Sequence, residues 1–289
     1  MQMPVIHPNW DRSPVNMVDG YSLEMTAKDI DSLRSAAPAI QPETPVAVTF
    51  LPGEDVSARI EATKLVRSLG FEPMPHFSAR RIASVGAFED YLAAATTQAG
   101  VKRCFVIAGD PSEPEGPFFD SSALIASGAF ERAGISAIGI GGHPEGHPNM
   151  TKDECWAALL SKCAEIERRG MAPLIVTQFV FDADAVLDWL VELRAKGIDA
   201  PVRIGVPGPA GIKTLMRFAA RCGVGASTSV LAKYGISITK LIGSAGPDKL
   251  VDRFDRALGP QHGRVRLHFY PFGGLDKTVA WINDYARAH

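Results

Sequence analysis

The chain lacks a strong charge of either sign. Thirty Lys and Arg stand against 32 Asp and Glu, a formal net charge of −2, so there is no basic field of the kind that draws a protein to nucleic acid or anionic lipid. It also lacks an apolar run near the 18 residues that a membrane helix needs, and its opening MQMPVIHPNWDRSP has neither the basic nor the apolar region of a signal peptide. A cytoplasmic protein with small-molecule partners is the expectation; its oligomeric state is not readable. Cysteine is scarce. Cys104, Cys155, Cys163 and Cys222 show no CxxC spacing, which argues against a disulfide framework or structural zinc site and for small buried hydrophobes in a reducing compartment. Finally, no GxGxxG fingerprint follows the first apolar run, so the usual signature of an open dinucleotide-binding sheet is missing.

What the chain does have is ordinary globular composition, 46% hydrophobic and 21% charged, and a regular alternation of short β-rich runs with longer amphipathic ones. The runs 21–25, 46–50, 72–76, 103–108, 136–140, 174–179, 202–206 and 265–270 read as strands. Those at 29–35, 56–69, 87–98, 121–133, 152–169, 184–196, 212–222 and 248–258 read as helices. In Ala185–Arg194, for example, Val186, Leu187, Leu190 and Leu193 fall at helical spacing. The run Cys104–Ala108 is apolar without alternation, as a parallel strand buried on both faces should be. At 289 residues, the alternation predicts one α/β (β/α)8 barrel over residues 19–289 behind an irregular arm over 1–18. A doubly wound open sheet is the competing fold. The stretch 223–246 breaks the rhythm and suggests an extra helix or a lid.

A barrel of this kind places its site where the strands end and the following loops begin. Polar residues recur there in phase: Glu24, Thr49, His76, Asp110, His143 to His147 and Gln178. A carboxyl such as Glu24, set in an apolar strand, suits a general acid; the alternative is a carboxylate already satisfied at the solvent edge. Asp110 in IAGDP reads either as a turn residue before Pro111 or as a fixed anion facing a polar heterocycle or a cationic intermediate. Gln178 either pairs with backbone or reads an amide-like ligand edge. Phe218, spaced helically with Leu215 and Cys222, reads as core packing.

The segment GGHPEGHP (141–148) brings two histidines and a glutamate within five residues. Its prolines and glycines prevent the helix that would set His143 and His147 on one face, so no metal is expected. A rigid loop holding backbone close to a flat or phosphorylated ligand is the preferred reading, and a purely structural turn the alternative.

At these same positions the sequence resembles the bacterial-type methylenetetrahydrofolate reductase family. The matching segments are Ser22-Leu23-Glu24, Val48-Thr49-Phe50, Met74-Pro75-His76, Ala108-Gly109-Asp110, GIGGHPEGHP (139–148), IVTQFVFD (175–182), the Lys213–Phe218 helix and LHFY (267–270), in family order over about residues 20–285. The PEGHP loop and the TQFVFD strand are the most specific. The resemblance implies a (β/α)8 barrel carrying FAD, reduced by NADH or NADPH, that interconverts 5,10-methylenetetrahydrofolate and 5-methyltetrahydrofolate. It further implies Glu24 as general acid, Asp110 as the carboxylate near flavin and pterin, and Gln178 and Phe218 as substrate contacts. Thr49, His76, Ala108, Gly109, Asp110, His143, His147 and Lys162 stand at or near flavin-contacting positions.

The sequence departs from the family pattern in several places. Met25-Thr26-Ala27-Lys28 replaces the usual Phe-Phe-Pro-Pro after the glutamate, and His143 replaces an aromatic. Ala108 replaces an arginine, Lys162 is only the nearest candidate for a helical flavin contact, and Gly273, Gly274 and Lys277 occupy a region where an arginine is expected. Missing charge partners would loosen the pyrophosphate end of a dinucleotide. Two alternatives follow: hydride transfer on the same substrates without flavin, or a non-catalytic folate-binding barrel.

Overall fold

The apolar strand runs conceal a strict alternation that the computed structural model, which describes residues 14–222 and 244–289, makes visible. Eight strands close into a parallel barrel: β1 (Ser22–Met25), β2 (Pro45–Val48), β3 (Glu72–Ser78), β4 (Arg103–Ile107), β5 (Ala137–Gly142), β6 (Ala172–Phe179), β7 (Val202–Pro207) and β8 (Val265–Tyr270). Closure is made by β8, which pairs with β1 on one side and β7 on the other. One row of each strand, such as Leu23, Val46, Cys104, Val106, Ile138, Val202, Leu267 and Phe269, joins the large core beneath the helices. The other row fills the barrel, where Ala47, Met74, Phe105, Ala137, Ala172, Leu174 and Val176 form a separate cluster. In β2, β4, β5 and β6 both rows are apolar through the middle of the strand, which is why the sequence shows no period of two there.

Two approaches of backbone to its surroundings set this packing. A Cβ on Gly139 would lie 2.4 Å from the Phe105 ring, and one on Gly205 would lie 2.7 Å from the carbonyl oxygens of Thr177 and Gln178. The second contact sits at an irregularity in the β6–β7 register between Val176 and Phe179. There the Thr177 hydroxyl accepts the Gly205 N–H at 2.8 Å.

Helices α1 (Ile30–Ala36), α2 (Val56–Ser68), α3 (Val85–Ala99), α4 (Ser121–Ala126), α5 (Ala129–Arg132), α6 (Lys152–Arg168), α7 (Ala183–Ala195), α8 (Ile212–Cys222), α9 (Asp248–Ala257) and α10 (Leu275–Ala288) surround the sheet. Their starts follow local chemistry. Thr151 and Glu154 form a reciprocal capping box at α6, and Ser84 and Asp120 cap α3 and α4 with their side chains.

Two expectations need correction. The helix expected over 121–133 is two helices, because Gly128 adopts φ 80°, a left-handed conformation that ends α4. A helix after the last strand, α10, went unread, although Leu275, Val279 and Ile282 are buried at helical spacing. As the spacing predicts, two helices, α8 and α9, separate β7 from β8. Of the irregular segment 223–246, residues 223–243 lie outside the described residues; Ser244–Ala245 pairs antiparallel with Ala210–Gly211. Of the expected N-terminal arm, residues 1–13 also lie outside them. Among the described residues, no helix is long and apolar enough to cross a membrane.

Candidate functional site

The inward row is polar along β1 and β8 and at the end of β3. Ser22 and Glu24 alternate with outward Leu23 and Met25 on β1, Arg266, His268 and Tyr270 with Leu267 and Phe269 on β8, and His76 follows Met74 on β3. This alternation gathers a carboxylate between two imidazoles. Oε2 of Glu24 lies 3.7 Å from Nε2 of His76 and 3.6 Å from Nε2 of His268, with 19% of the Glu24 side chain exposed. Both distances exceed a direct hydrogen bond. Burial holds the His76 imidazole down at about 4, against the upward pull of Glu24, so near neutral pH it faces Glu24 as a neutral ring. His268 is fixed from behind by Ser22, whose hydroxyl is 2.8 Å from Nδ1. Glu24 thus stands beside two polar rings rather than in the purely apolar setting expected from its strand.

Tyr270 extends the cluster. Its hydroxyl donates to the Thr177 carbonyl at 3.1 Å, and burial, with Glu24 adding to it, pushes the phenol well above its ordinary value. The hydroxyl is therefore a fixed donor, not an acid. His268 and Tyr270 were missed as site residues; the signal was present in VRLHFY, where Arg, His and Tyr share one face of a strand.

Gln178 continues the inward row of Leu174 and Val176 on β6. Its Oε1 accepts the Phe179 N–H at 3.0 Å, the backbone pairing that had been the alternative reading. Thr49 follows β2 and donates its N–H to the Met25 carbonyl at 2.8 Å, tying it to the strand of Glu24. Ala108 accepts the Arg80 N–H at 2.8 Å, and an added Cβ on Gly109 would come within 2.2 Å of Ser78 Oγ. The ends of β3 and β4 are thus pressed together. Asp110, beyond them, is 72% exposed, with Arg81 at 3.8 Å. It lies on the loop rather than beside the buried cluster.

His143 and His147 pack edge to face with centroids 4.8 Å apart. Burial holds His143 down at about 4, helped by His147 and Lys162. His147 Nδ1 accepts the Asn149 N–H at 3.2 Å, and burial with Lys162 lowers it also. Lys162 is itself lowered by burial. Lys162 lies on α6 and lines a cleft with Ser122, Ile125 and Ala126. Between them, Glu145 accepts the N–H groups of Phe181 at 3.1 Å and Asp182 at 2.7 Å, so this carboxylate is occupied by backbone. Among the described residues no three His, Cys, Asp or Glu side chains gather as a metal site. A cleft of about 140 Å³ opens beside His143, walled by Trp156 and Trp189, which stack at 5.5 Å.

Phe218 is half-buried and stacks on Phe272 at 4.1 Å, with Tyr270 stacked on the same ring at 5.8 Å. It packs against the core as its spacing suggested, yet the column of rings runs back to the Glu24 cluster.

Comparison with known proteins supplies the family. The chain is 28% identical over 160 residues to Methylenetetrahydrofolate reductase 2 of Saccharomyces cerevisiae, covering 53% of this chain and 26% of that protein. It is 25% identical over 206 residues to Methylenetetrahydrofolate reductase (NADH) 1 of Arabidopsis thaliana, covering 63% and 33%. The chain thus spans about a third or less of the length of these relatives. Among solved structures, an uncharacterized protein from Clostridium thermocellum that binds two copies of 5-methyl-5,6,7,8-tetrahydrofolic acid shares the fold with TM-score 0.64. That match has 11% identity and covers 94% of this chain and 97% of that one. The family model for methylenetetrahydrofolate reductase matches residues 25–270, and the chain belongs to that family.

Proposed function

We propose that the chain catalyses its family's reduction, converting 5,10-methylenetetrahydrofolate to 5-methyltetrahydrofolate with NADH or NADPH as the hydride source. The observation that carries this reading is the cluster at the barrel's C-terminal end: Glu24 Oε2 within 3.7 Å of His76 and 3.6 Å of His268, beside Tyr270. A proton held on Glu24 can pass to the ring nitrogen of the methylene bridge, opening it to an iminium that accepts hydride. Gln178, whose Oε1 already accepts a backbone N–H, retains amide N–H donors for the pterin edge. Phe218 and Phe272 offer flat apolar surface to the rest of the folate. The folate-binding barrel from Clostridium thermocellum supports a folate as ligand of this fold.

The residues present fit a flavin at the ring end. His76 Nδ1 is buried without a partner among the described residues, as an atom awaiting a ligand would be. Thr49, the Ala108–Asp110 backbone, His143, His147 and Lys162 would line the remainder. Bound there, FAD would accept hydride from the nicotinamide and return it to the folate.

A second reading, hydride transfer without flavin, is favoured by the charges at the β3 and β4 ends. Arg81 is engaged with Asp110 and Glu115, and Arg80 donates to the carbonyls of Phe119 and Pro111. Lys162 is then the cation left for a pyrophosphate among the assigned positions. One experiment separates these outcomes: the visible spectrum of the purified protein, followed by NADH- and NADPH-linked turnover of methylenetetrahydrofolate with and without added FAD. Turnover that requires FAD supports the first reading, and turnover in its absence the second. A protein that oxidises neither nucleotide with any reduced folate refutes both.

A further inference from the structure

We infer that Glu145 is a positioning residue of this site, joining the loop that carries His143 and His147 to the end of the strand that carries Gln178. The inference rests on the proposed folate chemistry and adds a residue to which the sequence assigned no role.

The argument begins with what each segment lacks by itself. The loop after β5 contains two prolines and Gly146, at φ 98°; its own backbone ties are the Gly146 N–H to the His143 carbonyl at 3.2 Å and a bridge between His147 and Met150. Such a loop has few hydrogen bonds of its own to define where it sits. The end of β6 has left the regular ladder at its register irregularity. On the β7 side it is held by the Gly205 N–H to Thr177 Oγ1 and by the Val180 N–H to the Gly205 carbonyl at 3.0 Å. On the β5 side the ladder runs regularly as far as Gly142 and Thr177, and beyond it Glu145 bridges the two segments. Glu145 Oε1 accepts from Phe181 and Asp182, residues 36 and 37 positions away.

Two converging N–H donors on one carboxyl oxygen fix direction as well as distance. Asp182 in turn caps α7 by accepting the Asp184 N–H at 3.0 Å. The staple therefore links the histidine loop, the Gln178 strand end and the start of α7. The other oxygen, Oε2, is buried without a partner among the described residues. A carboxylate placed there for surface solubility would not be half-buried with one oxygen closed off from water. Removing the acceptor deletes both of these bonds and loosens the loop relative to Gln178.

The test compares Glu145→Ala, which deletes the acceptor, with Glu145→Gln, whose amide oxygen can still accept both N–H groups. Two readouts are taken on the whole chain. Hydrogen–deuterium exchange of the Phe181 and Asp182 amides should quicken by about tenfold or more in the Ala variant and by much less in the Gln variant. In steady-state turnover, KM for methylenetetrahydrofolate should rise about tenfold in the Ala variant while kcat stays within about threefold, and the Gln variant should recover most of the loss. A general loss of fold would lower kcat and Tm together and would not be repaired by an amide. Unchanged exchange at 181 and 182, an unchanged KM in the Ala variant, or a Gln variant as impaired as Ala overturns the role of Glu145. A wild-type protein that neither binds nor turns over reduced folate overturns the proposed function instead, and the role built on it.

Discussion

His268 presents Nε2 to Oε2 of Glu24 at 3.6 Å, while its opposite nitrogen, Nδ1, is held by Ser22 at 2.8 Å. Orienting one ring nitrogen through a partner on the other is how a histidine is fixed toward a reacting group. The same carboxylate oxygen is approached by His76. Glu24 is therefore flanked by side chains of β3 and β8.

If Glu24 supplies the proton, Glu24→Gln should bind reduced folate with little change and lose turnover by roughly 10²- to 10⁴-fold, the usual contribution of a positioned acid. Calorimetric binding and steady-state rates on the same preparation check this. Wild-type turnover in the Gln variant would remove Glu24 from the chemistry.

His76 links stability to pH. Its folded value is lowered by burial to about 4 from 6.5, so the unfolded chain takes up a proton before the folded one does. The stabilising contribution is present above pH 6.5 and is lost as pH falls toward 4, by up to roughly 3 kcal/mol. Denaturant unfolding at pH 7.5, 6 and 4.5 should show a steeper acid loss for the wild type than for His76→Asn. Parallel curves would mean that the ring is not buried as described.

Glu145 works in the opposite direction. Burial pushes it up to about 7, above its ordinary 4.5, with the Phe181 and Asp182 N–H groups opposing and the Asp182 carboxylate adding to the rise. A raised folded value favours the fold at low pH, and that contribution is lost as pH rises from about 4.5 through 7. Relative to Glu145→Gln, the wild type should lose Tm across this interval. A Tm difference that stays constant from pH 5 to 8 would contradict the shift.

The packing at β6 and β7 predicts a steric effect far from any charge. Gly205→Ala would set a methyl 2.7 Å from two backbone carbonyl oxygens, which cannot swing aside as a flexible side chain could. The expected cost is about 1–3 kcal/mol. It should be read as a lower urea midpoint at unchanged slope; an unchanged midpoint would show that the strands can part.

Much was legible along the chain because it is local. The run CFVIA at 104–108 specifies a strand buried on both faces wherever it sits, and the spacing in Ala185–Arg194 specifies an amphipathic helix. GHPEGHP and TQFVFD carry their family likeness in contiguous residues. Other features depended on a partner. The break at Gly128 turns on one backbone conformation, and α10, whose buried face leans on the barrel, was passed over.

Side-chain chemistry at the site belongs to the tertiary structure. Nothing in SLEM, PMPH or VRLHFY says that Glu24, His76 and His268 share one oxygen; that follows from closing β8 onto β1. Nor does the loop sequence tell that Glu145 is engaged by amides 36 and 37 residues away, or that Phe218 rests on Phe272. Local sequence determines the conformation each segment prefers and the face it buries. Which polar groups meet is decided by strand order and register, and these are set by contacts between residues far apart in the chain.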